Sequence, residues 1–291
     1  MLLQRILTAL VLAAVAITAI FTLPTLYFYL FIAVIVLIAG WEWTYLSGLD
    51  KTSSKVWFIL ALIVPMLGIT FWTQILELLA LLLEWPKIKE YSGILEWLVI
   101  GPVIFWVMMM ILIRKEPEAL LAIELKKRTQ AFIGWFVLFS AWMFLAKLRA
   151  FYGSEAVMYF LALIWIADIS AFFAGKKFGK DKLAPSISPG KTVQGLYGAI
   201  ISAMICAVLL ALYYDYPYMI ATDFGMLSIF TVLVSIYGDL FFSLVKRKAG
   251  VKDSGSILPG HGGVLDRIDS VIAAAPFYYA GVILIGRSVF A

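Results

Sequence analysis

The sequence predicts an all-α fold: a polytopic helical membrane protein of about nine transmembrane helices with a cytoplasmic N-terminus. Three observations predict it. Hydrophobic residues make up 64% of the 291 positions and charged residues only 14%, against about 45–50% and 25% in soluble domains. The apolar residues gather in runs of about 20, the length that crosses about 30 Å of hydrocarbon. Stretches such as 200–212 are continuously apolar, whereas barrel strands alternate apolar and polar positions.

The spans follow from hydropathy between charged punctuation. The first, near residues 6–21, follows Arg5 and carries small residues as a signal peptide does, yet a second span near 26–46 begins just after Pro24, so it reads as retained. The third run, near 56–83, is overlong and holds Pro65, Gln74 and Glu77. One span plus an interfacial turn accounts for it. Further spans fall near 94–113, 131–148, 157–173, 192–214, 224–245 and 268–288. Charge asymmetry sets the orientation: with a cytoplasmic N-terminus, 18 of the 23 Lys and Arg residues lie on the cytoplasmic side, as the positive-inside rule requires. The net charge of +5 is therefore a sidedness signal, which argues against a nucleic-acid partner. A single Cys (Cys206) and a single His (His261) exclude an intramolecular disulfide and a His-rich metal site.

Polar and Gly-rich sequence concentrates in the second half, which divides the chain into a transmembrane scaffold at 1–150 and a catalytic region at 151–291. Asp168 lies eight residues before Lys176 and Asp239 seven before Lys246. At about 1.5 Å of rise per residue, each sits about 10–12 Å below the same surface. An isolated carboxylate there costs on the order of 2.5–3.5 kcal/mol, so each needs protein, water or a cation beside it. Thr231, Ser235, Asp239, Ser243 and Arg247 recur every four residues and form a polar stripe on one helix face. Asp266 and Asp269, three apart, share a face at the start of the last span. Hard oxygen ligands without a Cys or His cluster favour Mg²⁺ held partly by substrate phosphates. The competing reading is that these Asp residues cap helices or pair with Lys and Arg.

Two loops suit phosphate: Gly175-Lys-Lys-Phe-Gly-Lys-Asp-Lys182 and Ser188-Pro-Gly-Lys-Thr192. Backbone N–H groups at a helix start beside Lys191 would cradle an anion; a basic loop drawn to anionic lipid is the alternative. A P-loop is rejected, because its spacing demands Gly where Pro185 stands and no strand is expected before it.

The stretch Ser243-Leu-Val-Lys-Arg-Lys-Ala-Gly-Val-Lys-Asp-Ser-Gly-Ser-Ile-Leu-Pro-Gly-His-Gly-Gly-Val-Leu-Asp-Arg-Ile-Asp269 resembles the signature of phosphatidate cytidylyltransferases (CDP-diacylglycerol synthases). Asp168 with the two loops, Gly195 and Glu42-Trp43 are similar to that family as well. Gly190 departs from it, since many members carry Lys there.

The resemblance implies transfer of the cytidylyl group of CTP to phosphatidic acid by a Mg²⁺-dependent homodimer among the lipids of a bacterial inner membrane, with room for a second cation. By resemblance and by clustering, Asp239, Asp266 and Asp269 are candidate catalytic metal ligands, with Asp168 a fourth. Lys191 is a candidate catalytic cation. Ser188, Lys246, Arg247, Lys252 and Arg267 are candidate phosphate contacts, Arg by a bidentate fork and Lys as a point charge. His261 either binds phosphate or holds backbone carbonyls beside Gly262 and Gly263. Asp253 and Ser254 belong to the nucleotide pocket or to a turn. Two rival classes remain: an ion-coupled transporter, which would show inverted repeats and midplane carboxylates, and a CTP-using enzyme acting on another lipid.

Overall fold

The computed structural model describes residues 2–258, 260, 262–286 and 290. Ten α-helices carry the described chain: α1 (Leu2–Thr22), α2 (Thr25–Leu46), α3 (Thr52–Thr70), α4 (Trp72–Leu82), α5 (Ile100–Lys115), α6 (Pro117–Ala122), α7 (Lys127–Phe178), α8 (Val193–Tyr213), α9 (Tyr218–Lys248) and α10 (Leu265–Ile285). A 3-10 stretch, Pro86–Val99, leads into α5. Among the described residues, seven helical segments are long and apolar enough to cross a membrane. The chain is an all-α polytopic membrane protein.

Local chemistry explains the element boundaries. Pro24 separates α1 from α2, because its ring cannot continue the preceding helix. The overlong third run divides at Phe71. There Thr70 Oγ1 donates to the Met66 carbonyl at 2.8 Å, a back-bond that competes with the helical ladder. The spans expected near 131–148 and 157–173 are both in α7, whose helical backbone breaks at Gly153 with φ 82° and ψ −172°, a conformation open to glycine. The last expected span reached residue 288; α10 ends at Ile285, and Arg287 and Ser288 lie outside the described residues.

One expectation is corrected. A short strand does precede Lys191: β1 (Lys182–Ala184) pairs antiparallel with β2 (Ser188–Thr192), with Lys182 opposite Thr192 and Ala184 opposite Ser188. Lys191 thus lies within a hairpin strand, whereas a P-loop lysine follows a loop. Thr192 ends that strand and caps α8, its hydroxyl accepting from Gly195 N–H at 3.1 Å. Gln194 fixes the hairpin from α8: its Oε1 accepts from the N–H groups of Lys180 and Asp181, and its Nε2 donates to Asp181 Oδ2 at 2.8 Å.

The core is centred on α10, which packs against α9, α7, α5 and α2. Small residues permit the closest approach: a Cβ on Gly238 of α9 would lie 2.2 Å from Ala273 Cβ of α10, the small-residue contact typical of helices in lipid. Aromatic rings join α2, α5 and α9, with Trp43 edge-on to Phe242 at 5.8 Å and Trp106 edge-on to Phe241 at 5.3 Å. By contrast, α1 exposes Leu7, Leu10, Val11 and Phe21, as a lipid-facing helix should. The hairpin and the loop between α9 and α10 meet at one end of this bundle, where Arg247 Nε donates to the Ile187 carbonyl at 3.3 Å.

Candidate functional site

Two lysine–aspartate pairs form the frame of the site. Lys191 Nζ, from β2, lies 2.6 Å from Asp239 Oδ2 on α9, and Lys246 Nζ, about two turns beyond on that helix, lies 2.6 Å from Asp266 Oδ1 on α10. Lys191 also donates to the Ile236 carbonyl at 3.3 Å. Asp239 in turn is 3.4 Å from Ser243 Oγ, the next member of the polar stripe. The second pair is the more enclosed, with 11% and 5% of the two side chains exposed.

Donors ring Asp266. While Oδ1 takes the Lys246 ammonium, Oδ2 accepts from Ser254 N–H at 2.8 Å, Gly263 N–H at 3.0 Å and Ser254 Oγ at 3.0 Å. A carboxylate can accept about four such bonds, so this one closes the loop between α9 and α10 onto the start of α10. Asp269, one turn along, is buried, and its Oδ1 accepts from Ser270 N–H at 2.8 Å. Asp239, Lys246 and Lys191 all lie within its electrostatic range. Asp168, on α7, is open to the surface and interacts with Lys191 and Asp239. Ion pairs thus join Asp239 to Lys191 and Asp266 to Lys246, and Asp168 and Asp269 are tied to these pairs electrostatically.

Whether this network suits a metal depends on the donors. Among the described residues, no three His, Cys, Asp or Glu side chains are close enough to hold an ion between them. Mg²⁺ does not require such a cage, because one or two carboxylates plus substrate phosphates and water satisfy it. Asp239 and Asp269 fit that role: they lie within electrostatic range of each other, and two like charges in a low-dielectric setting favour cations beside them, a need that Lys191 at Asp239 meets in part. Asp266 fits it less directly, since four donor contacts meet its oxygens, against the two from Lys191 and Ser243 at Asp239.

The sequence model of the Cytidylyltransferase family matches residues 3–285. The chain belongs to the cytidylyltransferase family. It is 32% identical over 289 residues to a phosphatidate cytidylyltransferase of Haemophilus influenzae, covering 96% of this chain and 97% of the relative. A phosphatidate cytidylyltransferase of Pseudomonas aeruginosa is 34% identical over 294 residues, covering 96% of each. One from Bacillus subtilis is 44% identical over 131 residues, which is 44% of this chain and 47% of the relative. The chain is thus a nucleotidyltransferase.

Other residues expected at the site of this cytidylyltransferase are spread around its rim. Lys252 and Arg267 are exposed, and Ser188 is half-buried at the start of β2. Arg247 turns to backbone, donating from Nε to Ile187 and from one terminal nitrogen to the Val251 carbonyl at 3.4 Å. Its guanidinium therefore ties the hairpin to the end of α9. Gly190 faces open space, with nothing within 4 Å of a built Cβ. His261 lies outside the described residues, as does Pro259 of the same signature.

Two residues carry more of the site than the sequence reading assigned them. Ser254 is buried, at 3% exposure, and bonds to Asp266 through both its N–H and its hydroxyl. Glu42 reaches the same loop from α2, and its Oε1 accepts from Val264 N–H at 2.9 Å. The signal for Glu42 was present: it is the only Asp, Glu, Lys or Arg in α2, so the cost argument applied to Asp168 and Asp239 covers it equally.

Proposed function

We propose that the chain transfers the cytidylyl group of CTP to phosphatidic acid, giving CDP-diacylglycerol and pyrophosphate. The observation that carries this reading is the similarity to two phosphatidate cytidylyltransferases over 96% of this chain. In the reaction, a phosphate oxygen of the lipid attacks the α-phosphorus of CTP. One phosphorus–oxygen bond forms, the bond to the bridging oxygen of the β-phosphate breaks, and pyrophosphate departs with that electron pair.

The nucleophile is already anionic near neutral pH, so no serine or cysteine nucleophile and no general base is needed. Positioning and charge neutralisation supply the acceleration. Lys191 and Lys246, each held 2.6 Å from a carboxylate, present ammonium groups at the bundle end where phosphates arrive. Lys252 and Arg267, exposed at the rim, draw the triphosphate in. Arg247 holds the hairpin that carries Lys191 against α9.

Asp239 and Asp269 are the residues we assign to Mg²⁺, with Asp168 and Asp266 beside them. When bound, the ion supplies Lewis-acid neutralisation of the nucleotide phosphates and of the leaving pyrophosphate. The excess of Lys and Arg on one side supports a cytoplasmic site in a bacterial inner membrane, reached by lipid from the bilayer, and the family resemblance supports a homodimer.

Detergent-purified protein given CTP, phosphatidic acid and Mg²⁺ should release pyrophosphate, stop on chelation and resume when Mg²⁺ is restored. No release under conditions where the Haemophilus influenzae relative turns over defeats the reading.

A further inference from the structure

Glu42 is 4% exposed, near the C-terminal end of α2, and among the described residues no Lys or Arg pairs with it. Its charge is met by hydrogen-bond donors. Oε1 accepts from Val264 N–H at 2.9 Å, and Oε2 accepts from Leu265 N–H at 2.8 Å and Ser254 Oγ at 2.9 Å. The two N–H groups belong to the start of α10, whose first donors have no partner inside the helix and whose dipole favours an anion. The fit is close: a Cβ on Gly255 would lie 2.6 Å from Glu42 Oε1, and one on Gly263 2.4 Å from Oε2.

Ser254 Oγ is shared. It stands 2.9 Å from Glu42 Oε2 and 3.0 Å from Asp266 Oδ2. A hydroxyl carries one proton, so it serves one carboxylate at a time. Glu42 and Asp266 thus grip one loop from two sides, one from the N-terminal scaffold and one from α10. Asp266 passes the constraint to Lys246.

We propose that Glu42 is a positioning residue for cytidylyl transfer, acting through Ser254 and the start of α10 to hold Asp266 and Lys246 in place. This rests on the reading of the reaction above. Glutamine cannot replace it, because three donors converge on two oxygens and the glutamine amide would turn N–H groups toward one or more of them. The scaffold half therefore contributes directly to the order of the catalytic loop.

The test compares wild type with Glu42→Gln, Glu42→Asp, Ser254→Ala and the double variant Glu42→Gln/Ser254→Ala, measuring kcat, KM for CTP and detergent melting. Tyr45→Phe, at an exposed α2 position, is the control. Glu42→Gln should lower kcat at least about tenfold and Glu42→Asp should recover part of it. The double variant should lose no more than about the worse single one, since residues acting through one another are non-additive. If Glu42→Gln does not fold, Glu42→Asp and Ser254→Ala carry the test by the same kcat loss. A Glu42→Gln kcat within about twofold of wild type, or losses that multiply in the double variant, overturns the proposal. Wild type that makes no CDP-lipid defeats the reading of the reaction instead, which separates the two failures.

Discussion

Lys246 Nζ and Asp266 Oδ1 stand 2.6 Å apart, joining the end of α9 to the start of α10 with 11% and 5% of their side chains exposed. Enclosed pairs of this kind contribute little over a well-packed apolar pair, yet removing one partner strands a charge.

Lys246→Met should therefore destabilise the protein by about 3–5 kcal/mol, because Asp266 loses the ammonium that pairs with its charge. Asp266→Asn should cost a comparable amount, since one amide must face either the ammonium or the N–H groups of Ser254 and Gly263. Chemical denaturation in mixed micelles measures both, and stabilities within about 0.5 kcal/mol of wild type would remove the pair from the account.

Lys191 differs in being more open, with 24% of its side chain exposed. Lys191→Ala should lower stability less than Lys246→Met does, because more of this pair meets solvent, while turnover falls by at least about a hundredfold through loss of a cation at the phosphates. Steady-state rates with CTP varied measure this. A variant with full turnover would make Lys191 a structural counter-ion alone.

Arg247 spends its donors on the Ile187 and Val251 carbonyls. In Arg247→Ala the hairpin should loosen, raising amide exchange across residues 182–192 and lowering kcat/KM about tenfold. Unchanged exchange with a large rise in KM for CTP would assign the guanidinium to phosphate binding instead.

Two glycines should respond in opposite ways. Gly263→Ala places a Cβ 2.2 Å from Ser254 Oγ and 2.4 Å from Glu42 Oε2, and overpacking of this kind costs about 1–3 kcal/mol. A Cβ at Gly190 meets nothing within 4 Å, so Gly190→Lys should leave melting unchanged, and added positive charge on the hairpin should lower KM for CTP. Melting and KM of the two variants check both statements.

Much of this was legible in the sequence because a membrane leaves few choices. Apolar length gave the helices, and the cost of a carboxylate in hydrocarbon singled out Asp168 and Asp239, which share a network with Lys191. Pairing was not legible. Spacing placed Lys246 and Asp266 at the same end but could not show that they neutralise each other, since that depends on how α9 approaches α10 at Gly238 and Ala273. The hairpin was missed because its strands have 3 and 5 residues, too short for a two-residue period to register against Pro and Gly. Nothing in sequence shows that the Ile187 carbonyl lies beside Arg247, so its backbone bonds were not legible alongside the expected phosphate contact. Glu42 was visible as an isolated acid, yet its partners lie more than 200 positions away, beyond any local pattern.

The central claim is transfer of a cytidylyl group to a lipid phosphate, and the fate of labelled phosphorus tests it most directly. Purified protein with phosphatidic acid, Mg²⁺ and CTP labelled at the α-phosphate should move that label into the lipid fraction as CDP-diacylglycerol, whereas label at the γ-phosphate should leave only as pyrophosphate. Label from the γ-position in the lipid, or no α-label there at all, would contradict the account.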